Sequence, residues 1–305
     1  MNAFFPQTTN ALKNITDMFD LLWPMTTALW NLRCNVKGFL AESPNATQEL
    51  LNQRFASGSD IEILNFKASI IDKTWESQKE EISWILLGWL FSIYEGWLSE
   101  LRDEVFNGMD NKKLQYPEKF QNEINRYTSA PSIILKKCIF PAYSKCKKVS
   151  TSKIKNMLYC CRVFKEMRNC YMHHSKKADQ KLLDSYNMFM ANIKSPQDLH
   201  VKEIPEILPI SLGKPITPSF RGVVGFSNVL INLILSIEAE FIKSKDAELW
   251  FNKCIMASPQ KKQITFSNIQ SKAIQQMNKL VTNCGFYRTI HFPEDLLKHI
   301  KGLTP

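Results

Sequence analysis

Glycine is scarce in this sequence, with only 10 residues in a chain of 305. Long segments contain neither glycine nor proline, and such segments favour helices. Hydrophobic residues make up 44% of the chain and charged residues 22%, values that are ordinary for a globular protein. The chain is long enough for one large domain or two small ones. We therefore expect a folded, mainly α protein.

No pair of cysteines has the C-x-x-C spacing, although the chain contains eight of them. They are Cys34, Cys138, Cys146, Cys160, Cys161, Cys170, Cys254 and Cys284. We expect free thiols that act as small apolar residues. Cys170 and His174 share a helix face and His173 is adjacent, but further ligands at zinc spacing are missing. We therefore expect neither a metal nor a cofactor.

A secretory signal and a transmembrane run are also lacking. Residues 1–10 have neither the basic start nor the apolar core of a signal peptide. The most apolar run, residues 84–94, ends at Glu95 and is shorter than the roughly 20 residues that span a bilayer. The sequence thus predicts a soluble cytoplasmic protein without a membrane partner.

Several enzyme classes have sequence signatures that do not occur here. The chain has no glycine-rich phosphate-binding loop, no G-x-S-x-G nucleophile elbow and no H-E-x-x-H zinc motif. Its aspartates and glutamates do not cluster as they do in a two-metal nuclease. Any catalysis must therefore use other groups.

Lysine and arginine, in contrast, exceed the acidic residues, which gives a net charge of +10 and a pI near 9.1. This excess of positive charge is typical of a protein that binds a polyanion such as nucleic acid. The alternative interpretation is a basic surface that only contacts solvent. One region is especially rich in lysine: Lys136, Lys137, Lys145, Lys147, Lys148, Lys153 and Lys155. These side chains either hold RNA phosphates or form a solvated face.

Residues 152–177 begin within this lysine-rich region and have helical spacing of apolar residues without proline or glycine. Arg168 falls near the middle of the apolar stripe of this predicted helix. A guanidinium group is rarely buried without a partner. Either the helix borders an interface or cleft at this point, or Arg168 forms a local ion pair.

Arg168, Asn169 and His173 form an Arg-Asn-x-x-x-His motif that resembles the signature of the HEPN superfamily. The resemblance implies an antiparallel helical bundle, here at residues 73–245. A helical region (1–72) and a helical extension (246–305) flank it. The resemblance also implies a homodimer in which the Arg and His of the motif meet at the interface and cut RNA without a metal. Such proteins are toxins or anti-phage (abortive-infection) effectors, for which a neutralising antitoxin or a sensor protein is a further candidate partner.

RNA is cut without a metal when its 2′-OH attacks the adjacent phosphorus, which requires a base, an acid and a cation. A histidine side chain suits the first two roles, and an arginine fork suits the phosphate oxygens. We assign His173 as general acid or base, Arg168 as transition-state stabiliser and Asn169 as orienter. His174 is the competing catalytic histidine.

One geometric difficulty accompanies this assignment. On an ideal helix, Arg168 and His173 point about 140° apart and are separated by about 7.5 Å of rise. They converge if the helix loosens at its end, or if two copies pair around a two-fold axis. The second arrangement predicts an inactive monomer. The competing hypothesis is a non-catalytic HEPN-like adaptor or an RNA-binding regulatory protein, in which Arg168 pairs with an acid and both histidines are solvated.

Other segments give further predictions. Residues 11–40 have a helical pattern that Pro24 interrupts, and residues 74–106 give the strongest helix signal, with Thr74 as N-cap. The proline-rich residues 194–220 indicate either an ordered loop that walls the site or a small β-hairpin. Residues 286–290 have the pattern of a short strand.

Gly88, Ser92 and Gly96 lie four apart within the predicted helix 74–106. Small residues at this spacing allow another helix to approach closely. The helix is therefore either a central core helix, or one face of it takes part in a dimer.

Overall fold

The computed structural model describes residues 3–61 and 64–303, and this part of the chain is built from α-helices without any β-strand. The prediction of a mainly α fold is therefore confirmed. The helices are α1 Pro6–Glu42, α2 Gln48–Phe55, α3 Trp75–Glu104, α4 Pro117–Thr128, α5 Phe140–Lys147, α6 Ile154–His173, α7 Gln180–Asn192, α8 Phe220–Ile242, α9 Lys245–Ala257, α10 Pro259–Gln263, α11 Gln270–Asn283 and α12 Pro293–Gly302. Short helical turns lie at Lys67–Ile71, Lys113–Gln115, Leu135–Ile139, Thr151–Lys153 and Pro196–Leu199.

Side-chain caps fix where several helices begin. Thr74 accepts a hydrogen bond from the Ser77 backbone N–H at the start of α3, as predicted. Asp179 caps α7 through the backbone N–H of Leu182 in the same way. Such caps satisfy N–H groups that have no partner inside the helix. Because each capping residue directly precedes its helix in the chain, the sequence itself indicates where these two helices begin.

Helix α8 is the centre of the fold, and α1, α3, α4, α5 and α6 pack around it. The ring of Phe226 on α8 stacks between Phe164 of α6, at 4.4 Å, and Phe91 of α3, at 5.5 Å between centroids. By length and composition alone α8 is apolar enough to cross a membrane, and 61% of its most apolar window is buried inside the protein. In this structure, its apolar surface is covered by the surrounding helices.

The main core draws on all three regions of the chain that the sequence suggested. Met18 of α1, Phe226 of α8 and Phe251 of α9 all belong to it. A second, smaller core lies near the other end of α1 and is formed by Val36, Leu51, Phe66 and Ile70. Helix α1 therefore joins the two cores.

The predicted interruption of the first helix at Pro24 is wrong, because α1 runs continuously from Pro6 to Glu42 with Pro24 inside it. Pro24 lies on the solvent-exposed side, where water can satisfy the carbonyl that loses its partner. The flanking halves are held by Leu22 in the main core and Val36 in the second core. Tertiary packing here outweighs the local preference. The sequence pattern also predicts a helix over residues 61–72, of which residues 62 and 63 lie outside the described residues. Within it, Lys67–Ile71 forms a π-helical turn.

The predicted strand at residues 286–290 is wrong, because these residues find no partner strand and instead bury Phe286 and Tyr287 in the core. Of the two alternatives for residues 194–220, the structure forms the ordered loop and not the hairpin. Its end pairs with the segment after α6, since Ala178 N–H donates to the Lys214 carbonyl at 2.9 Å and Ile216 N–H to the Lys176 carbonyl at 2.8 Å. The loop thus borders the end of α6.

Candidate active site at the end of helix α6

Helix α6 begins at Ile154 and ends at His173, within a few residues of the predicted bounds. Its buried face includes Met157, Phe164 and Met167, which pack into the main core. Beyond the helix, Ser175 and Lys176 both adopt left-handed backbone conformations, with φ of 51° and 62°. The chain therefore turns sharply just after the Arg-Asn-x-x-x-His motif.

Arg168 lies at the border between α6 and α3, with 25% of its side chain exposed. Its Nη2 donates to Glu95 Oε2 at 3.0 Å, and its Nη1 donates to Asn169 Oδ1 at 3.3 Å. Glu95 also receives Lys165 Nζ at 2.9 Å. The local ion pair is therefore present. A guanidinium group has five N–H donors, so these two bonds hold Arg168 and leave further donors for a phosphate oxygen.

Asn169, the predicted orienter, contacts neighbours along α6 and neither histidine of its own chain. Its Nδ2 donates to Glu166 Oε2 at 3.0 Å. Glu166 is buried and is itself ion-paired with Arg162 one helical turn earlier. Asn169 thus links the Glu166 carboxylate to the Arg168 guanidinium, and this fixes the orientation of Arg168 rather than that of His173.

The two histidines differ in their surroundings. His173 is exposed, and no side chain in residues 3–61 or 64–303 hydrogen-bonds its ring. His174 has 53% of its side chain exposed, and its Nε2 lies 3.7 Å from Asp179 Oδ2. Because Asp179 also caps α7, His174 is tied to a structural residue. His173 is therefore the histidine that is free to meet another molecule.

Cys170, the remaining residue of the metal alternative, is fully buried, and burial raises the pKa of its thiol to about 11. A thiol must lose its proton to bind a metal strongly, so burial makes Cys170 a poor ligand. Within the described chain no three His, Cys, Asp or Glu side chains come together as a metal site. Cys170 acts here as a small core residue.

Arg168 and His173 do not converge within one chain. Because α6 stays helical through His173, the two side chains leave the axis about 140° apart. The left-handed residues come only after the motif, so the helix does not loosen between Arg168 and His173. Pairing of two copies is the arrangement that still allows the two groups to meet.

The seven lysines suggested as RNA ligands lie on the elements that precede α6 and on its first turn, not at the end that carries the motif. They occupy the Leu135–Ile139 turn, α5, the turn after it and the start of α6: Lys136, Lys137, Lys145, Lys147, Lys148, Lys153 and Lys155. About 27 Å of helix axis separates Lys155 from His173. Lys155 also pairs with Glu118 at 3.1 Å, and Lys153 with Asp198 at 3.8 Å. The lysines and the motif therefore form separate surfaces of one chain.

Helix α3 presents an open face beside this site. A Cβ atom placed on Gly88 or Gly96 would meet no atom within 4 Å, so no described helix packs directly on these glycines, although α1 borders a groove at Gly96. Ile85 and Trp89 on the same face are 66% and 41% exposed. The opposite face, with Leu87 and Phe91, is buried in the core. The buried face of α3 therefore agrees with a central core helix, and its open face is available for a dimer contact.

Exposed apolar side chains also lie at the end of α6 itself. Met172 is 62% exposed. Tyr171 stacks on Trp84 of α3 with ring centroids 4.5 Å apart, which joins the two helices at this end. We call the set formed by Ile85, Trp89, Met172 and His173 the α3–α6 surface. No protein-family model, curated protein or solved structure matches this chain.

Proposed function

We propose that this protein is a metal-independent endoribonuclease of the HEPN type, a toxin or anti-phage effector that works as a homodimer. One observation carries the proposal. Glu95 and Asn169 hold Arg168 and leave some of its donors free, and the same helix ends in the exposed ring of His173, which has no hydrogen bond within the described part of the chain. These are the cation and the proton-transfer group that cleavage by a 2′-OH requires.

In the proposed reaction, a histidine takes the proton of the 2′-OH while the oxygen forms a bond to the neighbouring phosphorus. The bond from phosphorus to the 5′-oxygen then breaks, and an imidazolium returns a proton to that oxygen. The products are a 2′,3′-cyclic phosphate and a 5′-OH end. Arg168 stabilises the additional charge on the phosphorane oxygens through its planar donors. Neither step consumes a metal or a cofactor.

The dimer follows from the direction of the two side chains. Since Arg168 and His173 leave one helix about 140° apart, a two-fold axis beside α6 brings the His173 of one copy to the Arg168 of the other. The exposed Ile85, Trp89 and Met172 supply apolar area for such an interface. We therefore expect that the monomer does not cut RNA.

The activity is tested by incubating the purified protein with total RNA in EDTA, beside Arg168→Ala and His173→Ala. We expect cleavage by the wild type and a loss of about 100-fold or more in each variant. Arg221→Ala and His291→Ala, which change exposed residues of the same types far along the chain, should retain activity. His174→Ala should retain more activity than His173→Ala. Equal behaviour of all variants would exclude the proposed reaction.

The interface is tested by placing a charge on the α3–α6 surface. Ile85→Asp and Met172→Asp should convert the dimer to a monomer in analytical ultracentrifugation and remove the nuclease activity. Ile133→Asp is the matched control, because Ile133 is 67% exposed but lies outside that surface. An active protein that stays dimeric after either α3–α6 change would place the interface elsewhere.

A second function is favoured by the Arg168–Glu95 ion pair and by the distance between the motif and the lysines. In that case, Arg168 serves the fold, and the protein is a non-catalytic helical adaptor or an RNA-binding regulator. RNA that shifts on a gel but stays intact in the EDTA assay would support this alternative.

A further inference from the structure

A cavity of about 600 Å³ lies between α5 and the segment that follows α11, apart from the α3–α6 surface. Its size falls within the range of small-molecule sites in proteins. Its described lining includes Lys145 and Cys146 of α5, and Phe286, Tyr287, Arg288 and Ile290 of the later segment.

The charge of this cavity is entirely positive, because its lining contains Lys145 and Arg288 but no aspartate or glutamate. Neither cation has a carboxylate partner among the described residues. Other guanidinium groups do: Arg126 pairs with Glu123 at 3.0 Å, and Arg102 with Asp103 at 2.7 Å. Two cations that share an open cavity repel each other, and an anion between them removes that repulsion.

The rest of the lining is mostly apolar and partly aromatic. Phe286 and Tyr287 are each 5% exposed, and the Tyr287 ring packs edge-on against Tyr143 with centroids 5.5 Å apart. Gly285 has φ of +89°, a conformation that lets the chain turn back after α11 and carry both rings to the cavity. Ile290, which is 48% exposed, lies at the rim. Little of either ring is therefore open to the cavity, and Ile290 contributes to the same apolar wall. Such a wall suits the apolar body of a ligand whose anionic group meets the two cations.

We propose that this cavity binds a nucleoside monophosphate group, with the phosphate between Lys145 and Arg288 and the base against the apolar wall. The arginine fork matches phosphate oxygens, lysine adds a point charge, and a base has the flat apolar body that the wall accommodates. A free mononucleotide and the terminal nucleotide of an RNA strand share this chemistry. The inference does not depend on the proposed nuclease activity.

The exposed thiols of the full-length protein provide the test. Cys146 lines the cavity, whereas Cys34 is exposed on α1 and serves as an internal control. Rates of alkylation by a maleimide are measured at both thiols by mass spectrometry, with AMP, UMP, adenosine, inorganic phosphate or a 5′-phosphorylated oligoribonucleotide present. We expect AMP or UMP to slow alkylation of Cys146 by about 10-fold at saturation and to leave Cys34 unchanged.

The variant pair Lys145→Gln with Arg288→Gln should lose this protection. The pair Lys181→Gln with Lys202→Gln removes the same charge from exposed lysines outside the lining and should keep the protection. Protection by the oligoribonucleotide alone would assign the site to a strand end, within the same proposal. The proposal is overturned if no nucleotide protects Cys146, or if phosphate or adenosine alone protects it as well as AMP does.

Discussion

The interior around α8 and the α3–α6 surface are two regions of one protein with opposite construction. In the interior, Phe226 stacks on Phe164 and Phe91, and all three rings are fully buried or nearly so. On the α3–α6 surface, the apolar side chains are exposed and His173 has no partner within the described chain. Folding therefore depends on the interior, and the surface is available for another molecule.

The largest effect should come from the interior. Phe164→Ala removes a ring that is 1% exposed and leaves a cavity beside Phe226. We expect it to lower the free energy of unfolding by about 3–5 kcal/mol. Urea unfolding followed by circular dichroism measures this change.

Phe292→Ala is the matched control, because its ring is 55% exposed. It should cost less than about 1 kcal/mol. Similar losses for the two phenylalanines would mean that the interior around α8 does not dominate stability, and the contrast between the two regions would fail.

The interior also contains a titrating group, Glu238 of α8. Burial raises the pKa of its carboxyl from the ordinary value of 4.5 to about 7. The carboxyl accepts the Phe5 backbone N–H at 2.8 Å and also the Tyr143 hydroxyl, so it joins the start of α1 to α8 and α5. Between pH 4.5 and pH 7 the folded state holds this proton while the unfolded state releases it, so stability falls as pH rises through this range.

Glu238→Gln keeps the acceptor and removes the titration. Relative to this variant, the wild type should lose about 3 kcal/mol of unfolding free energy between pH 4.5 and pH 7, and no more above pH 7. Urea unfolding at several pH values measures the difference. Parallel profiles for the two proteins would contradict the raised pKa of Glu238.

The smallest effects on stability should come from Arg168 and from His173 of the α3–α6 surface. Arg168→Ala breaks a partly exposed ion pair with Glu95 and should cost about 1 kcal/mol or less. His173→Ala should change the free energy of unfolding by no more than about 0.5 kcal/mol. Thermal unfolding measures both. A large loss for His173→Ala would give this residue a structural role and weaken the functional assignment.

Local signals explain which parts of the fold were predictable. The cap at Thr74 and the pattern of α6 depend on neighbouring residues, and both predictions are confirmed. Pro24 misled the prediction because the packing of Leu22 and Val36 into two cores is a long-range effect. The strand pattern at 286–290 misled it because a strand requires a partner, which five residues cannot reveal.

The site was predictable only in part, for the same reason. The position of Arg168 in an apolar stripe indicates that it needs a partner. The partner, Glu95, lies on another helix, and no spacing in the sequence connects the two residues. The lysines appeared close to the motif because they precede its helix, yet they lie before α6 and on its first turn, whereas the motif lies at its end. The cavity beside Arg288 had no motif. Its signal was a guanidinium without a carboxylate, which only the folded structure reveals.

The central claim, that Arg168 of one copy works with His173 of the other, has a direct test. Arg168→Ala and His173→Ala chains are co-expressed with different tags, and the heterodimer is purified through both tags. One of its two sites then holds both wild-type groups, so the heterodimer should cut RNA at about half the wild-type rate, although each variant alone is inactive. A heterodimer as inactive as its parents would contradict the claim.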